Sequence, residues 1–278
     1  MTQCMWADSR HKNDIVHLWK QGFPEDTEED IHAFLHAFQD EARCMLLQEN
    51  DTVCSMAFVI PAMWIHEGVQ HCVWYIYAAV TATEHRGKGC FARLLEEIAC
   101  RAQQESVWGL FLRPATSSLF AYYEQQGFKS AFFADEFRCK ADKLHSEKDA
   151  LTWQAVTSNY AVCREYWLSL CNVPHVSWSE SATTYAVELL ENGGMLVSSK
   201  GMVMYRREKK RVVITELICR PQDKDAVLFS LARHFACHEL TVVTPPLTAE
   251  KAKPYGMFRE ISETSAAKSG WYMGFSLE

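Results

Sequence analysis

His85-Arg86-Gly87-Lys88-Gly89-Cys90-Phe91-Ala92-Arg93-Leu94-Leu95 is the stretch whose reading decides the fold. It follows an apolar run from Val73 to Thr81 and opens a segment with helical spacing, so its two glycines fall where a strand hands over to a helix. Glycine lets successive backbone N–H groups turn toward one anion, and a helix N-terminus adds partial positive charge. The junction therefore reads as a phosphate cradle. A Walker A loop is excluded: it needs Gly-Lys-Ser/Thr after a longer loop, and here Gly89 follows Lys88.

Outward from the cradle, Cys90 to Gln104 carries Phe91, Leu94, Leu95, Ile98 and Ala102 on one helical face. Upstream, the spacing predicts helices over Asp14–Trp19 and Thr27–Phe38 and strands over Arg43–Gln48, Val53–Ile60 and Cys72–Thr81, with Glu49-Asn50-Asp51 as a hairpin turn. Downstream come a strand at Trp108–Arg113, a helix at Ser117–Gln126 stopped by Gly127, and a strand at Phe128–Cys139. Hairpins combined with a βαβ crossover predict an α/β fold with a sheet of mixed direction flanked by helices.

The 278 residues suit two domains. Lys140–Lys148 is polar and charged, so the boundary is expected there, with domains at 1–140 and 149–278. The second half repeats the pattern. Ile214–Ile218 reads as a strand, Asp225–Cys237 as a helix and Leu240–Thr244 as a strand, in the same order as Ile76–Val80, Cys90–Cys100 and Leu110–Pro114. A duplicated fold explains this economically. At the position of the cradle the second half has Arg220-Pro221-Gln222-Asp223-Lys224-Asp225, where proline removes an amide and two aspartates oppose an anion. The second copy is expected to have lost the cradle.

Composition bounds the partners. Lys and Arg number 28 against 35 Asp and Glu, a net charge of -7, which argues against general nucleic-acid binding and favours cationic partners. The acidic run Glu25 to Asp30 reads as a solvated helix N-terminus. Eleven cysteines without a Cys-x-x-Cys pair fit a reducing cytoplasm, and neither an export signal nor a membrane span is apparent. The expected state is a cytoplasmic monomer or homodimer. His32 with His36, and His234 with His238 beside Cys237, stand at helical spacing but lack a third ligand, so no functional metal is expected.

A second motif, Tyr123-Glu124-Gln125-Gln126-Gly127-Phe128, ends the helix after the cradle. With Arg86-Gly87-Lys88-Gly89-Cys90, and Phe91 where a small residue is usual, it means that the first half of the chain resembles the GCN5-related N-acetyltransferase (GNAT) superfamily. The paired arrangement is similar to the two-domain core of the enhanced-intracellular-survival type acetyltransferases, and their third domain is not expected here. The resemblance implies acetyl-CoA as cosubstrate. Its pyrophosphate would sit on the amides of Arg86, Gly87, Lys88, Gly89, Cys90 and Phe91, and its pantetheine arm along Ala79, Val80 and Thr81 and near Thr116, which stands where the family often has Asn.

By the same resemblance Tyr123 is the general acid for the leaving thiolate, after a neutral amine attacks the thioester carbonyl. The base is left open among Glu28, Glu29, Tyr75, Tyr77 and Glu84. Trp64, Trp74, Tyr75 and Tyr77 are the aromatics that stand out: alternation along the third strand puts Trp74 and Ile76 on one face and Tyr75 and Tyr77 on the other, and one face is expected to border the acceptor cavity, which suits an amine of apolar or cationic character. The expected acceptor is a primary amine of a small molecule. A protein or peptide amine would use the same machinery, and a non-catalytic acyl-CoA sensor would keep the cradle alone.

Overall fold

The computed structural model describes residues 2–144, 151–208, 211–246, 252–263 and 270–277. The first half runs β1 (Thr2–Trp6), α1 (Lys12–Gly22), α2 (Glu28–Ala37), β2 (Arg43–Glu49), β3 (Thr52–His66), β4 (Val69–Thr81), α3 (Cys90–Gln104), β5 (Gly109–Leu112), α4 (Ser117–Gln125) and β6 (Lys129–Lys140). The second half continues with β7 (Gln154–Val156), α5 (Tyr160–Leu170), β8 (His175–Ser177), α6 (Glu180–Glu188), β9 (Gly194–Val197), β10 (Gly201–Glu208), β11 (Arg211–Cys219), α7 (Lys224–Phe235), β12 (Glu239–Thr244) and β13 (Lys253–Glu260).

Two compact units divide the chain: Met1–Met63, His71–Lys129 and Gly256–Ala267 form one, and Trp64–Gln70, Ser130–Tyr255 and Lys268–Glu278 the other. In the first, the strand order is β1-β2-β3-β4-β5-β13, with β1 and β2 antiparallel, β2 and β3 antiparallel, β4 and β5 parallel, and β5 and β13 antiparallel. In the second the order is β7-β9-β10-β11-β12-β6, with β11 and β12 parallel and its other neighbours antiparallel. Each unit therefore has a mixed sheet built around one βαβ crossover, β4-α3-β5 or β11-α7-β12.

The division differs from the contiguous one expected at Lys140–Lys148. β6 follows α4 in the chain yet pairs with β12, from Lys140 opposite Glu239 to Asp135 opposite Thr244. β13 follows β12 and pairs with β5, from Met257 opposite Leu112 to Glu260 opposite Gly109. The final strand of each sheet is thus supplied by the other half of the sequence. Pairing partners so distant in sequence leave no trace in a local pattern.

Local chemistry explains the elements around the cradle. Asn50 and Asp51 both take left-handed conformations (φ 46° and 67°), the two-residue turn that matches the twist of a β hairpin, and this joins β2 to β3 with Glu49 opposite Thr52. Thr27 and Asp30 form a reciprocal capping box that starts α2, and Glu28, Glu29 and Asp30 occupy its first turn. α3 buries Leu94, Leu95, Ile98 and Ala102 against Trp74, Ile76 and Leu110 of the sheet. Burying each of Leu94, Leu95 and Ile98 contributes roughly 1.5–3 kcal/mol.

Gly109 begins β5 where a Cβ would overlap the Phe258 ring and approach the Arg259 carbonyl oxygen at 2.8 Å. Gly109→Ala is expected to destabilise the first unit by about 1–3 kcal/mol, the usual cost of overpacking. A lowered thermal midpoint with unchanged secondary structure is the readout, and an unshifted midpoint would show that β13 yields freely.

Candidate active site

β4 pairs with β5 only from Val73 opposite Gly109 to Tyr75 opposite Phe111, while β4 itself runs on to Thr81. The strands part beyond Tyr75. Within that continuation Ala78 is left-handed (φ 45°), an uncommon conformation for a residue with a side chain, and it re-aims the strand. The end of β4 is held from behind. Ser55 Oγ donates to the Val80 carbonyl oxygen at 3.0 Å and lies 2.9 Å from the Thr81 hydroxyl. The Val80 side chain packs so closely on Gly22 that a Cβ there would overlap its methyl groups.

The loop after β4 has the backbone that the sequence demands. Gly87 and Gly89 are both left-handed (φ 75° and 76°) and open to solvent. Gly89 caps α3 without any side-chain hydrogen bond, and no acidic residue occupies the helix's first turn. The N–H groups there are accordingly not satisfied by a capping side chain, which fits an anion.

Its side chains divide the work. Arg86 turns back, donating from Nε to the Thr81 carbonyl oxygen at 3.1 Å and from Nη2 to the Gln21 carbonyl oxygen at 3.4 Å, so it fastens the loop to β4 and α1. Lys88 is exposed. Cys90 is buried in the core, leaving only its backbone toward the loop.

Phe91 joins the two motifs. Its ring stacks near that of Tyr122 (centroids 6.2 Å apart, planes at 23°) and meets Tyr123 edge-on at 6.2 Å. Tyr123 is half-buried and also packs edge-on against Phe128 at 5.7 Å. Thus the large residue at a position usually small is an inward packing partner of the tyrosine. Thr116 precedes α4, exposed, with its hydroxyl 2.9 Å from that of Ser118.

The other expected groups scatter. Glu28 and Glu29 are exposed at the start of α2. Tyr75 is buried and Tyr77 half-buried in an aromatic cluster, Tyr77 lying 5.8 Å from Trp19 and 5.0 Å from Phe34 and Tyr75 5.0 Å from Phe111. Both therefore serve packing. Trp74 is buried against Trp6 beneath the guanidinium of Arg43, and Trp64 is buried beside Trp271 in the second unit. Glu84 lines a hollow of about 260 Å³ with Asp14, His17, Gln21 and Asp51.

In the second unit the counterpart loop is a 3-10 turn, Pro221–Asp223, leading into α7. Asp223 has φ -96° and its carboxylate meets Lys200 Nζ at 3.1 Å, while Asp225 lies in the helix's first turn. The left-handed glycines and the open helix start have no equivalent here.

His32, His36, His234 and His238 are all exposed. The metal-type cluster among the described residues lies elsewhere: ligand atoms of Cys54, His85 and Cys90 stand within 4.8 Å of one another. Sequence spacing could not reveal it, since its members come from β3, the turn after β4 and the start of α3. Nor did it reveal Gln21, whose side-chain oxygen accepts from the Thr83 N–H at 3.2 Å, or Ser55, whose partners are the Val80 carbonyl and the Thr81 hydroxyl. Burial, with Cys90 and Glu49 alongside, pushes the Cys54 thiol up to about 11.

Residues 7–131 match the family profile described as an acetyltransferase (GNAT) domain. That segment is a GNAT domain, the acyltransferase-type domain of the chain. Solved structures share the fold across both units. A probable N-acyltransferase from Enterococcus faecalis V583 superposes with a TM-score of 0.79 at 14% identity, covering 94% of this chain and 73% of that one. A GCN5-related N-acetyltransferase from Kribbella flavida gives 0.75 at 15%, covering 94% and 72%. Eis1 from Mycobacterium abscessus gives 0.69 at 9%, covering 94% and 74%. No curated protein matches the sequence. Among the described residues no helix is long and apolar enough to cross a membrane.

Proposed function

We propose that the protein transfers an acetyl group from acetyl-CoA to a primary amine of a small molecule, the first unit binding the cosubstrate and the second being a degenerate copy. The observation that carries this is the open start of α3, with two left-handed glycines, joined through Phe91 to Tyr123. The residues fit the cosubstrate. Amides from Arg86 to Phe91 hold the pyrophosphate, Lys88 adds the exposed charge, and the edge at Ala79, Val80 and Thr81 takes the pantetheine arm as an added strand, with Thr116 beside it.

Acetyl-CoA supplies an activated acyl carbon and a sulfur leaving group. The Tyr123 hydroxyl delivers its proton to the departing sulfur, and an N–H of the β4 edge stabilises the developing oxyanion. The amine must shed a proton before attack. The net charge of -7 and the carboxylates of Asp14, Asp51 and Glu84 around one hollow favour a cationic amine as the approaching partner.

A panel of small amines and lysine peptides, followed by free-thiol release from acetyl-CoA, tests the reading. Small amines are expected to give turnover above the no-acceptor rate. Turnover on peptides alone would move the acceptor to proteins, and CoA binding with no turnover on either would make the protein a sensor. Gly89→Val is expected to weaken CoA binding about tenfold, because a left-handed residue with a side chain costs about 1–2 kcal/mol. Unaltered affinity in that variant would remove the loop from the binding site.

A further inference from the structure

The cluster of Cys54, His85 and Cys90 has the donors of a metal centre. Cys54 and Cys90 are fully buried, at 0% and 2% exposure, and His85 Nδ1 is buried without a hydrogen bond. Glu49 Oε2 stands 3.5 Å from that nitrogen, while Glu49 Oε1 lies 3.6 Å from Arg93 Nη1. The Cys54 thiol donates to the Leu47 carbonyl oxygen at 3.2 Å. Two sulfurs, an imidazole and a carboxylate suit zinc, and ligand atoms around zinc stand about 3.5–3.8 Å apart. With the present atoms within 4.8 Å of one another, small side-chain rotations close the shell.

We propose that Cys54, His85 and Cys90 bind a soft divalent cation, zinc by its donor set, with Glu49 as fourth ligand or as the carboxylate that orients the imidazole. Binding displaces one proton from each thiol, and the two thiolates neutralise the cation. No redox step is involved. Glu49 then keeps its charge opposite Arg93. The site spans β3, the turn before the loop and the first residue of α3, so the cation pins both ends of the Arg86–Gly89 loop. Its occupancy can be read without any assay of acetyl transfer.

The test is titration of the reduced full-length protein with Co²⁺ under anaerobic conditions. One equivalent per chain is expected, with thiolate-to-cobalt charge-transfer absorption that Zn²⁺ abolishes. Cys54→Ser and Cys90→Ser are expected to lose the absorption, and Cys100→Ser, at an exposed position on α3, to retain it. Because the buried replacements could impair folding, His85→Gln and Glu49→Gln supply a second measurement. Each is expected to weaken Co²⁺ binding by about tenfold or more while the metal-free melting temperature stays the same. Absence of the absorption, its persistence in both cysteine variants, wild-type affinity in His85→Gln, or a Cys54–Cys90 disulfide in the isolated protein would each overturn the proposal.

Discussion

Tyr123→Phe is expected to lower the rate of acetyl transfer by about 10²–10⁴-fold, the range usual for loss of a positioned general acid, and to leave CoA affinity unchanged. The substitution removes one hydroxyl and keeps the ring, so the packing against Phe91, Tyr122 and Phe128 persists. That separation is what makes the experiment decisive. A purely structural tyrosine would lose neither rate nor binding on conversion to phenylalanine. Initial rates of thiol release, with CoA binding measured by calorimetry on the same samples, distinguish the cases, and wild-type turnover in the variant would reduce Tyr123 to a packing residue.

Glu216→Ala carries the largest expected effect on stability. Glu216 and Arg164 are buried in the second unit at 0% and 1% exposure, with Arg164 Nε donating to both carboxylate oxygens at 3.1 and 3.0 Å and Nη1 to the Val176 carbonyl oxygen at 2.9 Å. Removing the carboxylate strips the buried guanidinium of its two-oxygen partner and leaves it only the Glu165 carboxylate, 3.6 Å from Nη1, at a cost of about 3–5 kcal/mol. The surroundings offer no slack: a Cβ on Gly274 would overlap the guanidinium and sit 2.7 Å from Glu216 Oε1. Chemical denaturation should show a large fall in midpoint. A double replacement, Arg164→Met with Glu216→Leu, should recover much of it, since exchanging a whole buried pair for apolar side chains is often neutral or better. A fall confined to surface-pair values near ~0.5 kcal/mol would mean that water reaches the pair.

Legibility in the sequence followed the range of the forces involved. α3 begins and ends where helical spacing and Gly89 put it, at Cys90 and Gln104, because amphipathic periodicity and a left-handed cap are local properties. The Asn50-Asp51 turn was equally local. In contrast, β1 went unseen, since Thr2–Trp6 gains its strand from pairing with β2 more than from its own pattern. The strands β7, β9 and β10 of the second half were hidden for the same reason. At the candidate site, the left-handed turns at Gly87 and Gly89 were readable from motif spacing. The inward turn of Arg86, the stacking of Phe91 and the aromatic cluster around Tyr77 depend on side-chain packing that no spacing encodes.

The exchange of β6 and β13 bears on how the chain folds. Before residue 253 has been synthesised, β5 has no antiparallel neighbour on its outer side, and β6 must await β12. An exposed strand edge is a template for pairing with other chains, and contacts so remote in sequence are slow to form. The ribosome-bound N-terminal half is therefore a species that needs protection. For the same reason the acetyltransferase half is not a portable module: a fragment ending at residue 140 would lack β13, the strand that completes its own sheet.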